Sequence, residues 1–267
     1  MGKQTFGGDD EGGEAAEQPQ KPKLSKFELA PDTNVRDVFW RVMASYATTK
    51  KPGIEPEELY EYRFAFVKIA LSLLERREGR YYGMSNQLIT RYLLMLFLDN
   101  GWNDAAQKML EELKEGRQNS WIPLIHSLRQ LLKVERYKES TIELLRTMIR
   151  NTDVYPVALF YILALKNKEV ITRLKKELYI FARGDIEENQ MNAINALALL
   201  NGDSEVIGMM LSLLSHWNTE VRRAAAEGLK GMKLNEDAVR AIESKIAVEN
   251  DEETKRTLEK IVRKWKK

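Results

Sequence analysis

Apolar residues recur at three- and four-residue spacing over most of the chain after Thr33, for example at Val170, Ile171, Leu174 and Leu178. This period fits one buried face of an α-helix. No sustained alternation of apolar and polar residues bounded by Asn-Gly or Asp-Gly indicates a β-hairpin. We therefore predict an all-α protein whose helices, about 12–16 residues long, are joined by tight connections and lie antiparallel. Asn151, Asp203 and Asn218 are expected to cap helix starts, and Asn235 to end a helix.

A repeat is superimposed on this helical pattern. The segments 192–197, 224–229 and 256–261 align without gaps, each 32 residues from the next, and Ala164-Leu165 holds the same small–large pair one period earlier. Periods of this size are typical of α-solenoids, in which each helical hairpin covers the apolar face of its neighbour. We predict a right-handed α-α superhelix of such hairpins. Second helices are expected to begin at Glu169, Glu205 and Asp237.

Two known repeat families resemble parts of the chain. The segment Thr-Glu-Val-Arg-Arg-Ala-Ala-Ala-Glu-Gly-Leu-Lys-Gly at 219–231 resembles the first helix of a HEAT-like repeat of the phycobilisome-lyase type, with weaker copies at 187–200 and 252–265. The segment Asn-Gly-Trp-Asn-Asp-Ala-Ala at 100–106 begins a stretch similar to a tetratricopeptide repeat, and 135–145 is a looser copy. Both resemblances imply a superhelix used for binding, and neither family carries a universal active site.

These patterns divide the chain into a tail and one solenoid. Residues 1–30 are rich in glycine, proline and acidic residues and carry a net charge of −2, so we predict a disordered tail. Residues 31–267 then form a single α-solenoid, with tetratricopeptide-like hairpins over 31–150 and HEAT-like repeats over 151–267. The folded part carries a net charge of +4.

Composition excludes several classes of function. The chain has no cysteine, which removes disulfides, thiol catalysis and cysteine-based zinc sites. No apolar run approaches the about 20 residues of a membrane span, and no apolar signal core stands at the N-terminus. We therefore predict a cytoplasmic protein with no membrane contact. The high charged fraction of 31% together with the missing cysteine also suggests a thermophilic source.

Sequence motifs for catalysis and cofactor binding are missing. The chain has no Walker-type phosphate loop, no dinucleotide-binding glycine motif and no nucleophile elbow. Its histidines, His126 and His216, lie far apart, and a position on a helix surface explains both. The acidic run that begins at Asp251 is expected to cap a helix rather than hold a cation. We predict no catalytic residue, no metal site and no cofactor.

Three groups of side chains are candidates for partner binding. Arginines beside tyrosines stack on bases or anchor a protein, although these tyrosines also suit the packing of a hairpin turn. The first group is Arg76, Arg77, Arg80, Tyr81 and Tyr82. A second is His216 with Trp217; most tryptophans of the chain should pack in the core, but Trp217 ends a helix, a position that also allows exposure. The third is a basic patch, which contacts phosphates or serves as the polar cap of the last repeat. Its members are Lys255, Arg256, Lys260, Arg263 and Lys264.

Three functional hypotheses follow. The first is a non-catalytic scaffold that presents its superhelical surface to another protein. The alternative is a protein that binds nucleic acid or a ribonucleoprotein such as the ribosome through the basic groups. The third is a HEAT-like enzyme such as a lyase or a DNA glycosylase, since the fold alone does not forbid catalysis. The sequence leaves the oligomeric state open.

Overall fold

The computed structural model describes residues 34–75, 80–81, 84–115 and 121–266. The predicted tail at 1–30 lies outside these residues. So do three candidates of the first basic group, Arg76, Arg77 and Tyr82.

The described part is all-α, as the hydrophobic period predicts. The helices are α1 Val35–Thr49, α2 Pro56–Leu59, α3 Arg63–Glu75, α4 Asn86–Asp99, α5 Asn103–Glu115, α6 Ile122–Leu131, α7 Glu135–Arg150, α8 Tyr155–Leu165, α9 Lys168–Arg173, α10 Lys175–Ala182, α11 Glu187–Leu197, α12 Ser204–Leu213, α13 Thr219–Lys230, α14 Glu236–Ile246 and α15 Glu252–Trp265. A 3-10 turn over Tyr60–Tyr62 joins α2 to α3. Two strands of two residues each, β1 Arg80–Tyr81 and β2 Met84–Ser85, pair antiparallel and were not predicted.

Short polar residues set where many helices begin. Asp203, Asn218 and Asp251 each accept a hydrogen bond from a backbone N–H of the following first turn, as expected of N-caps. Asn235, which was predicted to stop a helix, instead caps the start of α14. Asn151 was expected to start α8, but it follows the end of α7 and accepts from the N–H of Asp153. The second helices α9, α12 and α14 begin one residue before their predicted positions.

The helices pack in two rows. In one row α4, α6, α8, α11, α13 and α15 each contact the next helix. Opposite them α3 contacts α5, α5 contacts α7, and α12 contacts α14, while α7/α8, α10/α11, α12/α13 and α14/α15 pair between the rows. Buried apolar side chains between the rows form one continuous core from Phe39 to Val262. The predicted boundary at 150/151 falls between α7 and α8, which pack against each other.

Close approach within the first row depends on small residues. Ala193, Ala196 and Ala225 are fully buried, as the repeat alignment predicts. A Cβ atom placed on Gly228 would lie 3.3 Å from the Cβ atom of Ala198. The α11 and α13 backbones therefore approach more closely than larger residues would allow.

Polar contacts between successive repeats reproduce the sequence period. They join residues that are 27 to 34 positions apart, which is the length of one helical pair. The pairs are Arg173–Glu139, Arg150–Glu177, Lys175–Asp203, Asn218–Glu187, Arg222–Glu249 and Arg223–Asp251. Each hairpin is thus fastened to the next by side-chain bonds as well as by the apolar core.

Candidate interaction surfaces

Trp217 is the most exposed large apolar side chain in the described part of the chain, with 83% of its surface accessible. It lies in the connection between α12 and α13, beyond the end of α12, whereas the sequence predicts it at the end of the helix itself. The Nδ1 atom of His216 accepts a hydrogen bond of 3.2 Å from the backbone N–H of Asn218. That bond fixes the turn, in which the ring centroids of His216 and Trp217 lie 5.5 Å apart. Of the two alternatives that the sequence leaves open for Trp217, the structure shows exposure.

Trp217 belongs to a regular row of exposed apolar residues. Ile186, Trp217 and Val248 stand 31 residues apart, each in the connection that leads into α11, α13 or α15. Their side chains are 56%, 83% and 69% exposed. We call these three residues the apolar edge. Leaving large apolar side chains in water gives up about 1.5–3 kcal/mol each, and here three of them recur in the connections before α11, α13 and α15.

Hydrogen bonds join the connections that hold the three residues. The amide of Asn218 donates to Glu187 Oε2 at 2.8 Å, which joins the beginnings of α13 and α11. Arg222 donates to the carbonyl oxygen of Trp217 at 3.1 Å and to Glu249 Oε2 at 2.9 Å. The same guanidinium therefore links the connection before α13 to the connection before α15. The connections that hold the apolar edge are therefore linked in succession.

Acidic side chains surround the apolar edge. The exposed carboxylates in the last connection residues and first turns of α11, α13 and α15 are Asp185, Glu187, Glu188, Glu220, Glu252 and Glu253. Two arginines of α13 lie among them, but Arg222 is paired with Glu249 and Arg223 with Asp251. Acids at helix N-termini are favoured by the macrodipole, which explains their presence without a partner. These carboxylates nevertheless create a negative electrostatic field around the apolar edge.

The predicted basic patch lies along α15. Arg256, Lys260, Arg263 and Lys264 are exposed, and Lys255 is half-buried. Within the described residues none of the five forms an ion pair, since the recorded pairs involve other side chains. Glu227, which pairs with Lys230, also interacts with Lys260, so the positive charge of the other four members is the part of the patch without a recorded partner in the described part of the chain.

Part of this patch borders a cleft that sequence reasoning missed. Lys260 and Lys264 come together with Lys230 and Lys233 around a space of about 500 Å³. The other side chains that line this space are apolar, namely Leu229, Met232, Leu234, Ile261 and Trp265. We call this space the lysine cleft. No repeat position in the sequence brings these lysines together, since Lys233 follows the end of α13 whereas Lys264 lies within the last turn of α15.

The remaining candidates contribute less to a site. Of the first basic group the structure describes only the backbone of β1, where Arg80 pairs with Ser85 and Tyr81 with Met84. His126 is exposed on α6. Among the residues that the structure describes, no group of three or more His, Cys, Asp or Glu side chains is placed to hold a metal ion. No described helix has the length and apolar character to cross a membrane.

A buried polar cluster joins the first helices. Asp99 at the end of α4 accepts hydrogen bonds from the hydroxyls of Tyr46 at 3.3 Å and Tyr137 at 3.0 Å, and from Arg136 at 2.7 Å. Burial and the neighbouring carboxylate raise the pKa of Tyr137 to about 12 and raise that of Tyr46 further. Both hydroxyls stay protonated as donors, so the cluster fastens α1 and α7 to α4.

Comparisons with known proteins add little to this geometry. No family model matches the chain, and no curated protein matches it. Among solved structures it is similar to an engineered protein whose crystal structure was a target of the Northeast Structural Genomics Consortium. The two chains are 16% identical with a TM-score of 0.43, over 86% of this chain and 96% of the other. The resemblances to HEAT-like and tetratricopeptide repeats stay predictions from the sequence.

Proposed function

We propose that this protein is a non-catalytic scaffold of the α-solenoid type, and that it binds a basic, amphipathic segment of another protein along the apolar edge. The observation that carries the proposal is that Ile186, Trp217 and Val248 are exposed in the connections that lead into α11, α13 and α15. Tryptophan is the residue most enriched among the energetic centres of protein interfaces. The surrounding carboxylates favour a positively charged partner.

The spacing of the row suggests the form of the partner. Stacked helices lie about 8–10 Å apart, so three successive repeats present apolar side chains at about that interval. Two turns of an α-helix rise about 11 Å. A partner helix with an apolar residue at every seventh position and lysines or arginines between them would therefore match both the spacing and the charge.

The superhelical form of the scaffold is part of this proposal. It is supported by the two rows of helices and by polar bonds that recur at 27 to 34 residues. Each repeat that is added displaces the next by the same rotation, which turns a row of helices into a superhelix. The right hand of the superhelix follows from the resemblance to HEAT-like and tetratricopeptide repeats.

The proposal is tested with a fluorescein-labelled synthetic helix that has leucine at every seventh position among lysines. Anisotropy would report its binding to the full chain and to the variant Trp217→Ala. Loss of an interface tryptophan costs about 2 kcal/mol or more, so we expect binding about thirtyfold weaker. Thermal stability should not change, because the side chain is already in water.

Ile180→Ser supplies the matched control. Ile180 is 70% exposed on α10 and lies off the apolar edge, so its replacement should leave the affinity unchanged. Equal affinities for Trp217→Ala and Ile180→Ser would refute the proposal. A version of the peptide with glutamate in place of lysine should bind far more weakly, and equal binding would remove the argument from charge.

Nucleic-acid binding is the second candidate, favoured by the basic patch along α15. It requires affinity for an oligonucleotide that falls steeply with salt and is lost when Arg256, Lys260 and Arg263 are neutralised. The enzyme hypothesis gains nothing from the lysine cleft, because no carboxylate lines it beside Trp265.

A further inference from the structure

The lysine cleft and the apolar edge lie at opposite ends of the same helices. The apolar edge precedes the first turns of α13 and α15, whereas the cleft lies at their last turns and in the connection from α13 to α14. Each helix rises about 1.5 Å per residue, so about 20 Å separates the two surfaces. A ligand in the cleft would not touch the apolar edge.

We propose that the lysine cleft is a second docking site, which binds an acidic segment of a partner protein by a single large apolar side chain set among carboxylates. This site goes beyond the scaffold proposal, since it involves other residues and the opposite charge. The argument rests on the charge of its rim and on the chemistry of its floor.

The rim is more positive than helix stability requires. Lys230 and Lys264 lie in the last turns of α13 and α15, where the macrodipole favours cations. Lys233 lies in a connection and Lys260 lies more than one turn from the end of α15, so this explanation does not reach them. Lys230 Nζ lies 2.9 Å from Glu227 Oε2, but the other three form no ion pair within the described residues.

The floor suits an aliphatic or aromatic side chain. Leu229, Met232, Leu234 and Ile261 line it, and Trp265 stands at its side with 45% of its surface exposed. A volume of about 500 Å³ is within the range of pockets that hold a small ligand or an anchoring side chain. Methionine adapts its shape to such a guest at little cost.

These features favour an acidic peptide over a nucleic acid. Grooves that bind single strands stack successive bases on several aromatic side chains, whereas Trp265 is the one aromatic residue that lines this cleft. Lysine ammonium groups act as mobile point charges and pair well with scattered carboxylates. An apolar floor with a ring of ammonium groups is thus complementary to a hydrophobic residue flanked by aspartates and glutamates.

The probe for this site is a fluorescein-labelled peptide with one central phenylalanine flanked by aspartates and glutamates. Its binding to the full chain would be followed by anisotropy at low and at physiological salt. We expect the double variant Lys233→Glu/Lys260→Glu to bind at least about tenfold more weakly, since each reversal turns attraction into repulsion. Lys51→Glu/Lys133→Glu makes the same change of net charge at exposed lysines away from the cleft and should bind as the wild type does.

Each further outcome decides the proposal. Replacing the central phenylalanine of the peptide by serine should weaken binding about tenfold, because the floor then loses its apolar guest. Equal binding by the two double variants would overturn the assignment of the cleft. A single-stranded oligonucleotide is tested in the same way. If it binds more tightly than the peptide and its binding is lost in Lys233→Glu/Lys260→Glu, the assignment of the cleft to an acidic peptide is overturned in favour of nucleic acid. Trp217→Ala should leave acidic-peptide binding intact, and a loss there would refute the independence of the two surfaces.

Discussion

Replacing Arg222 by alanine should destabilise the C-terminal repeats more than the loss of an exposed ion pair would. The Arg222 guanidinium is 16% exposed and Glu249 is 4% exposed. The Nε and Nη2 atoms of Arg222 both donate to the Glu249 carboxylate at 2.9 Å. The Nη1 atom donates to the carbonyl oxygens of His216 at 3.0 Å and Trp217 at 3.1 Å. One side chain therefore satisfies a buried carboxylate and two turn carbonyls.

The magnitude follows from what the substitution leaves behind. Removing one partner of a buried pair costs about 3–5 kcal/mol, because the other charge stays buried without compensation. Glu249 keeps a hydrogen bond of 2.8 Å from the backbone N–H of Asp251, which places the expected loss near the lower value. A loss of that size lowers the melting temperature by about 6–12 °C in a chain of this length. Arg240→Ala is the control, since that exposed pair with Glu236 contributes about 0.5 kcal/mol or less.

The loss should also depend on pH. Burial raises the pKa of Glu249, but the hydrogen bonds from Arg222 and from the Asp251 backbone outweigh burial and lower it below the ordinary value. The wild type therefore gains stability above the ordinary carboxyl pKa of about 4.3 and loses it as the pH falls through the lowered folded value. In Arg222→Ala burial acts with less opposition and the pKa of Glu249 rises. The gap between the two proteins is then widest at neutral pH and narrows in acid.

Urea denaturation followed by circular dichroism at neutral pH and at about pH 4 measures both effects. The double variant Arg222→Ala/Glu249→Gln should regain about 1 kcal/mol or more, because the uncompensated charge is gone. A loss below about 1 kcal/mol at neutral pH, a gap that does not change with pH, or no recovery in the double variant would refute the reasoning.

Two further substitutions test the packing and the caps. In Gly228→Ala the new Cβ atom meets Met210 Sδ and Ala198 Cβ, each at 3.3 Å, and the gain in helix propensity of about 1 kcal/mol offsets the crowding. Gly228→Val exceeds the space and should cost about 2 kcal/mol in urea denaturation; an unchanged midpoint would contradict the close approach of α11 and α13. Asp251→Ala removes the N-cap of α15 and should cost about 1 kcal/mol at neutral pH. Since Arg223 and Thr254 lower the pKa of Asp251, this cost should shrink in thermal melts as the pH falls below the ordinary aspartate value, and a cost that grows in acid would contradict the assignment.

Local rules account for the part of the fold that the sequence predicts. Helical periodicity and N-caps depend on residues within one or two turns, so Asp203, Asn218 and Asp251 were identified before any contact between helices was known. The repeat period of 32 residues likewise predicts contacts between residues about one period apart, and the bonds of Asn218 with Glu187 and of Arg222 with Glu249 span 31 and 27 residues. The caps were misplaced at Asn151 and Asn235 because the same residue type both ends and begins helices.

The interaction surfaces were harder to predict because they depend on exposure. An apolar residue just before a helix commonly packs against the first turn as a hydrophobic staple. Ile186 is itself the N-cap of α11 and Val248 lies three residues before the N-cap of α15, so neither holds the staple position, and their exposure follows only from the packing of the helices. The lysine cleft is similar, since the connection that holds Lys233 and the end of α15 that holds Lys264 meet only after α13 and α15 have packed together.

The two surfaces have a common physical origin. Acids stabilise the N-terminal turn of a helix and bases stabilise its C-terminal turn. The bond between Asn218 and Glu187 shows that α11 and α13 begin side by side, so helices of this row run in the same direction. A rule that stabilises each helix separately therefore collects negative charge along one edge of the row and positive charge along the other. Apolar side chains are exposed at each edge, as Trp217 and Trp265 are, and Lys233 and Lys260 add positive charge that this rule does not supply, so the two edges have the opposite charges on which we base the proposals of a basic and an acidic partner.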